Sequence, residues 1–393
     1  MKTRIATETP DSMNIVDLAR ELVAIPSINP MGRDDLTTTG ELALAEHVAQ
    51  FLRSIGAEPQ MSWPQPDRPN LWAFLNLGAP ETILFEAHLD TVPVDNMTID
   101  PFAAEVREGR LWGRGACDTK GPMAAMLWAM AQSVGRDCCG HNVLFCAVMD
   151  EEYQFTGVKH LLQNLPESEL HKVVFAIIAE PTNLRPVTAH KGVVRWNAVT
   201  RGKSAHSSTP QLGDNALYKM ARAVSALQKH ADALCQSSQH PLLGAPTLSV
   251  GTLQGGTAVN VVPDFAIAQI DRRLIPGEDP AEVTHALRAL LKPFDAELSE
   301  PIMQAPAFEI SNAHAAVQAT LAAARLAGVA APAPLAVNYA TDAAFYPAHN
   351  LPAVVFGPGD IAQAHTKDEW IDLEELARGG RAYEALIVGQ PLA

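Results

Sequence analysis

The amino-acid sequence predicts an α/β fold: a largely parallel sheet flanked by helices, carrying an inserted ferredoxin-like α+β domain. Short apolar runs of strand length alternate with helical segments over the first half of the chain, the pattern of strands buried on both faces. The middle of the chain switches to the order β-α-β-β-α-β, which closes on itself as a layer of four strands and two helices. The α/β pattern then returns, so the middle layer interrupts a domain rather than following it.

In chain order, Met13–Ala24 reads as a helix stopped by Pro26, within Ile25-Pro-Ser-Ile-Asn-Pro30, because proline lacks the N–H a helix needs and clashes with the preceding turn. Thr39–Ile55 is a second helix that ends at Gly56, a residue free to adopt the left-handed cap conformation. Leu71–Leu77, Thr82–Ala87, Val143–Met149, Val173–Ala179 and Ala353–Phe356 are apolar and short enough for strands. Pro122–Val134 and Val158–Asn164 are helices between them. Gly192–Thr200, Thr247–Leu253, Ala266–Leu274 and Ala296–Pro301 are the strands of the middle layer, and Asn215–Leu234 and Pro280–Leu291 its helices. A helix over Ala313–Ala327 reopens the α/β pattern. The expected borders are 1–187 and 305–393 for the α/β domain and 188–304 for the insert.

Bulk composition narrows the function. The chain has 393 residues, 47% of them hydrophobic, enough for two or three domains with sizeable cores. No run of eighteen apolar residues occurs, so no membrane span is expected. A net charge of −15 argues against a nucleic-acid partner, which needs a clustered positive footprint. Met1 to Ser12 mixes Lys2, Arg4, Glu8 and Asp11 without an apolar stretch, so no secretory signal is expected. The five cysteines are odd in number and form no CxxC pair. That suits a reducing, cytoplasmic setting better than a disulfide framework.

The chemistry lies where the apolar runs end. Thr82–Ala87 runs into His88-Leu-Asp90, Val143–Met149 into Asp150-Glu-Glu152, and Val173–Ala179 into Glu180-Pro-Thr182. Ligands of open α/β sheets gather beyond the carboxyl ends of the strands, so three strands deliver an imidazole and several carboxylates to one edge. Asp118, in Gly113-Arg-Gly-Ala-Cys-Asp-Thr-Lys-Gly121, adds another carboxylate just before a helix, and His365 supplies a second imidazole. A lone histidine or a Glu-Glu pair is more often a solvated surface feature; acids at three successive strand ends are far more specific. So many carboxylates stay ionised together only around cations. Two histidines with several carboxylates and no cysteine suit zinc, and also cobalt or manganese. One shared carboxylate would hold two such ions about 3.5–4 Å apart.

Taken together, Glu86-Ala-His-Leu-Asp-Thr-Val-Pro93, Gly113–Gly121, Asp150-Glu-Glu152, Ala179-Glu-Pro-Thr182, Ala364-His365, Gly202-Lys-Ser-Ala-His-Ser-Ser208 and Asp271-Arg-Arg273 resemble a known family over nearly the whole chain. It is the zinc-dependent metallopeptidase and aminoacylase family that includes acetylornithine deacetylase, succinyl-diaminopimelate desuccinylase and glutamate carboxypeptidase. The resemblance implies a di-zinc peptidase-like catalytic, metal-binding domain and an inserted dimerisation or lid domain. It implies two divalent ions per chain, with Asp118 bridging them, His88 and Glu180 on one, and Glu152 and His365 on the other. Glu151 would be the general base and Asp90 the partner that fixes the His88 ring. His206 would stabilise the oxyanion in a partner subunit's site, and Arg273 would grip a substrate carboxylate. Arg272 would point the opposite way along its strand. Asn260 and the Gly357-Pro-Gly359 turn are further candidates for substrate contact, although either could be a plain turn. Pro122 stands where many relatives have a second glycine, a position in a helix's first turn where proline is tolerated.

The implied activity is hydrolysis of the amide of an N-acyl amino acid by a homodimer in amino-acid metabolism. The likeness is greatest to acetylornithine deacetylase, an enzyme of arginine biosynthesis. Cys117 before Asp118, Ala189-His-Lys-Gly192 and His206-Ser-Ser-x-Pro210 lean that way. A desuccinylase, dipeptidase or carboxypeptidase is the alternative within the family, since pocket loops set the substrate. A relative that only binds acyl amino acids would have lost Glu151 or a ligand, and all are present.

Overall fold

A computed structural model describes residues 13–33, 40–136, 138–170, 172–237 and 239–389. The chain divides into two compact units: Met1–Thr188, Ile310–Leu335 and Phe345–Ala393 make one, and Ala189–Glu309 with Ala336–Ala344 the other. The return segment Ala336–Ala344 was assigned by sequence to the α/β domain, yet its contacts group it with the second unit.

In the first unit the strands lie in the order Glu58–Gln65, Arg68–Leu75, His141–Val148, Glu81–His88, Val173–Ile178, Ala353–Val355. The last four run parallel, and the first two form an antiparallel hairpin added at one edge. The central strand Glu81–His88 is buried at every residue after Glu81. Such burial needs helices on both faces, and it explains the largely apolar run that marked this strand. The helix Lys120–Ser133 is buried nearly all round, among alanines and methionines, with Pro122 in its first turn. It packs in the same core as Leu18 and Leu22 of the helix Ile15–Ala24 and Leu376 and Leu386 of the helix Leu373–Val388.

The mixed α/β architecture with its largely parallel sheet is the predicted one. The second helix is described over Leu42–Ser54, and its expected start at Thr39 lies outside the described residues. Three of the features that sequence reading missed lie in the first unit. Glu58–Gln65 carries Pro59 and Pro64, which disqualify an internal strand but are tolerated at the sheet edge it occupies. The small sheet of Glu105–Arg107, Arg110–Trp112 and Trp370–Asp372 has strands of three residues, too short for a periodic signal. The helix Leu373–Val388, capped by the Asp372 carboxylate accepting from the Glu375 N–H, was also overlooked.

The second unit has the strand order Thr247–Gly255, Phe265–Leu274, Gly192–Arg201, Ala296–Leu298, paired antiparallel throughout. With the helices Ala216–Cys235 and Pro280–Leu291 this is the ferredoxin-like arrangement. Trp196, Ile270, Leu274, Met220 and Leu287 form its core. The last strand stops at Leu298, short of the expected Pro301. Among the described residues no helix is long and apolar enough to cross a membrane.

The turn after His141–Val148 depends on a close backbone approach. A Cβ on Gly157 would stand 2.1 Å from the Met149 carbonyl oxygen and 2.6 Å from its nitrogen. Gly157→Ala should therefore destabilise the protein by at least about 2 kcal/mol in denaturant unfolding, through overpacking that the backbone must absorb. Wild-type stability would contradict the packing described here.

Candidate metal centre

Each candidate ligand sits just past an element that fixes it. His88 is the last residue of the central strand; Glu151 and Glu152 follow His141–Val148, and Glu180 follows Val173–Ile178. Asp118 precedes the buried helix Lys120–Ser133 and is joined to Thr119 by a cis peptide, and His365 follows the short helix Ile361–Gln363. Asp150 and His365 both have positive φ, 66° and 62°. Left-handed backbone is uncommon outside glycine, and at both places it turns the chain sharply beside the centre.

The side chains converge. Asp118 Oδ1 lies 3.0 Å from His88 Nε2, and Asp118 Oδ2 lies 3.3 Å from His365 Nε2. Glu152 Oε1 stands 3.0 Å from the same His365 nitrogen. His88, Glu151 and Glu180 form one group able to hold a cation, and His88, Asp118 and Glu152 another. One carboxylate thus faces two imidazoles, one with each oxygen. His88, Asp118, Glu151, Glu152 and Glu180 are buried or nearly so, whereas the His365 side chain is half exposed.

The charges are out of balance without cations. Burial, then the charges of Glu180 and Glu152, pushes Glu151 well above the usual carboxylate range. Burial also raises Glu152, with Asp118 adding to it. Burial opposes the His365 cation, but bonds to Asp118 and Glu152 overcome it and raise its pKa to about 11. His88 is likewise raised against its burial by Asp118 and Asp90. In the metal-free chain these carboxylates hold protons on the imidazoles. Divalent cations would take the place of those protons, and the nitrogen and oxygen donors present suit that role.

Asp90 meets the His88 ring in two ways. His88 Nδ1 is 2.9 Å from the Asp90 backbone oxygen and 3.6 Å from its carboxylate. The carboxylate also accepts the N–H groups of Glu151 and Glu152, both at 3.1 Å.

A second support was not recognised from sequence. Glu369, fully buried, accepts the N–H groups of Cys117 at 2.9 Å and Asp118 at 3.0 Å, and its other oxygen takes a 2.6 Å bond from Arg114. Arg114 lies inside the Gly113–Gly121 motif and Glu369 four residues after His365, but nothing in their spacing announces that they pair across 255 residues. The Gly357-Pro-Gly359 turn is similarly structural in its contacts. The Gly357 oxygen accepts from Thr182 and Leu184, and a Cβ on Gly357 would stand 2.7 Å from the Glu180 oxygen. A Cβ on Gly359 would meet Cys117 Sγ at 2.8 Å. These glycines let the loops of Glu180 and Asp118 approach.

In the second unit, His206 is exposed, its Nδ1 bonded to Ser208 Oγ at 2.7 Å. It bridges to Val261, and Ser207 N–H donates to the Asn260 oxygen, so His206 and Asn260 are neighbours. Arg272 is buried against Glu278. Arg273, on the other face of the strand, pairs with Asp271, which also takes a 2.7 Å bond from Arg195.

Three strand ends bring His88, Glu151, Glu152 and Glu180 to a carboxylate, Asp118, that faces two imidazoles, a donor set of the kind dinuclear metallohydrolases use. Residues 84–388 match the model of Peptidase family M20/M25/M40, and the chain belongs to that family. It is 33% identical to acetylornithine deacetylase of Proteus mirabilis over 91% of this chain and 92% of that one. To the acetylornithine deacetylase of Photorhabdus laumondii it is 32% identical, over 95% and 96%. Among solved structures, the M20 family metallo-carboxypeptidase Sso-CP2 of Sulfolobus solfataricus shares the fold with a TM-score of 0.80 at 21% identity, over 96% of this chain and 99% of that one. The Bacillus subtilis YXEP protein, a dinuclear metal binding peptidase, does so at 0.65 and 18%, over 95% and 96%. The protein is a metal-dependent amide hydrolase.

Two outcomes follow from the geometry. Arg114→Met leaves Glu369 buried without its partner cation, and unfolding should show a loss of about 3–5 kcal/mol; a loss below about 1 kcal/mol would mean the pair is dispensable. Metal uptake must displace protons from His88 and His365, so affinity for Zn²⁺ or Co²⁺ should rise with pH through neutrality and on towards the raised His365 value of about 11. Calorimetry in buffers of different ionisation enthalpy should detect the released protons, and pH-independent affinity would contradict the protonated metal-free state.

Proposed function

We propose that the protein removes the acyl group from an N-acyl amino acid, in the manner of acetylornithine deacetylase, with Glu151 as general base. The observation that carries this reading is the Asp118 carboxylate between His88 and His365 with the buried Glu151 carboxyl grouped with His88 and Glu180 beside it. His88 and Glu180 would hold one divalent ion, Glu152 and His365 the other, and Asp118 both. Zinc fits these donors, as do cobalt and manganese. When bound, the ions polarise the amide carbonyl and lower the pKa of water. An amide is a poor electrophile, so a base with raised proton affinity is needed. Glu151 takes a proton from the attacking water and returns it to the leaving nitrogen.

The proposal extends to the second unit. Arg273 would receive the substrate carboxylate, as a planar guanidinium suits a bidentate clamp. His206, exposed and with its ring fixed by Ser208, would donate to the developing oxyanion in the other subunit of a homodimer formed through this unit. Asn260, beside His206, would join the same substrate contacts, while Gly357 and Gly359 would act through the loops they pack. The sequence identity to the bacterial deacetylases supports the acetylornithine class of substrate, and with that substrate the protein would serve arginine biosynthesis in the cytoplasm.

A hydrolysis screen of the zinc- or cobalt-loaded protein tests the reading. It would compare N-acetyl-ornithine, other N-acetyl amino acids, N-succinyl-diaminopimelate and dipeptides. Fastest turnover of an N-acetyl amino acid is expected; preference for dipeptides would replace the deacetylase reading by a peptidase one. Glu151→Ala should retain its metals and lose about two to four powers of ten in kcat. Near wild-type turnover would show that another group is the base.

A further inference from the structure

The segment after the first helix, Ser27-Ile-Asn29, enters the centre from outside the strands that carry the ligands. Ile28 bridges to Thr91, with Thr91 N–H donating to the Ser27 oxygen at 3.0 Å and Asn29 N–H to the Thr91 oxygen at 2.8 Å. The Asn29 side chain is fully buried and every polar atom in it is used. Its Oδ1 accepts the Met31 N–H at 2.8 Å, and its Nδ2 stands 2.8 Å from Asp90 Oδ2 and 2.9 Å from Asp150 Oδ1. Ionised carboxylates only accept, so both must face the NH₂ end of the amide, and the orientation of the side chain is unambiguous.

The two carboxylates it joins belong to different strand ends, and both govern the turn that carries Glu151 and Glu152. Asp90 accepts the N–H groups of those two residues. Asp150, left-handed at φ 66°, takes Thr156 Oγ1 at 2.6 Å and Arg68 at 3.4 Å besides Asn29. Arg68 is anchored in turn by the fully buried Glu41. Two buried carboxylates this close would repel and separate without a donor between them.

We propose that Asn29 is a positioning residue of the metal centre: its NH₂ group ties Asp90 to Asp150 and thereby sets where the turn presents Glu151 and Glu152. This rests on the proposed roles of those two residues, and it adds a residue from an element that carries none of the ligands. Groups that orient metal ligands change affinity or activity by about 10–100-fold when removed.

The test uses the full-length protein and Co²⁺ alone as probe. In Asn29→Ala, Co²⁺ affinity should fall by about 10–100-fold and the visible spectrum of the loaded centre should change. On the N-acyl amino acid that the wild type hydrolyses fastest, kcat should fall by about the same factor with KM within about twofold. A protein merely less heat-stable, with wild-type Co²⁺ affinity, spectrum and kcat, would overturn the proposal. If N29A does not fold, Asn29→Asp keeps the side chain's shape and sets a third carboxyl between the other two. It should show the same losses, and wild-type Co²⁺ binding there would overturn the proposal equally. Failure of the wild type to bind Co²⁺ at all would instead refute the metal-centre reading on which this rests.

Discussion

The structure depends on crowding several carboxylates at one edge of a sheet. Asp118, Glu151, Glu152 and Glu180 converge in a buried space where the imidazoles of His88 and His365 face them. Like charges this close and this dry cannot all stay ionised, so the chain either takes up protons or binds cations. Much of the first unit can be understood as a means of bearing that cost. Parallel strands bring the acids together, a buried helix fixes the start of the Asp118 side, and ion pairs hold the connecting turns.

Those turns are held by buried polar groups that bond their backbone. Glu369 with Arg114 grips the backbone at Cys117 and Asp118. Asp90 grips the backbone at Glu151 and Glu152, and Asn70 takes the Met149 N–H at 3.1 Å while donating to the Gly157 oxygen at 2.8 Å. In each case a buried side chain satisfies backbone groups that the sharp turn leaves unpaired. The ligands owe their positions to these bonds as much as to the strands. A centre built this way is preorganised, and a change one residue removed from a ligand is expected to reach it.

What could be read from sequence was the part governed by local pattern. Strand ends were visible because buried parallel strands are unbroken apolar runs, and His88, Asp118, Glu151, Glu152 and Glu180 fall where those runs or the following helix begin or stop. The ferredoxin-like order of the second unit was visible for the same reason. Long-range pairing was not. Glu369 and Arg114, Asn29 and Asp150, and Arg68 and Glu41 are brought together by tertiary structure, and each is an ordinary polar residue in its own neighbourhood. The further contacts of Asp90 were hidden for a related reason: its backbone oxygen also meets the His88 ring, and its carboxylate also holds the neighbouring turn.

The central claim is that the Asp118 carboxylate is shared by two metal ions. Anomalous scattering from crystals grown with Zn²⁺ or Co²⁺ tests it most directly. The account predicts two peaks about 3.5–4 Å apart, both within bonding distance of Asp118, one flanked by His88 and Glu180 and the other by Glu152 and His365. A single peak at full metal occupancy, or two peaks that share no Asp118 oxygen pair, would contradict it.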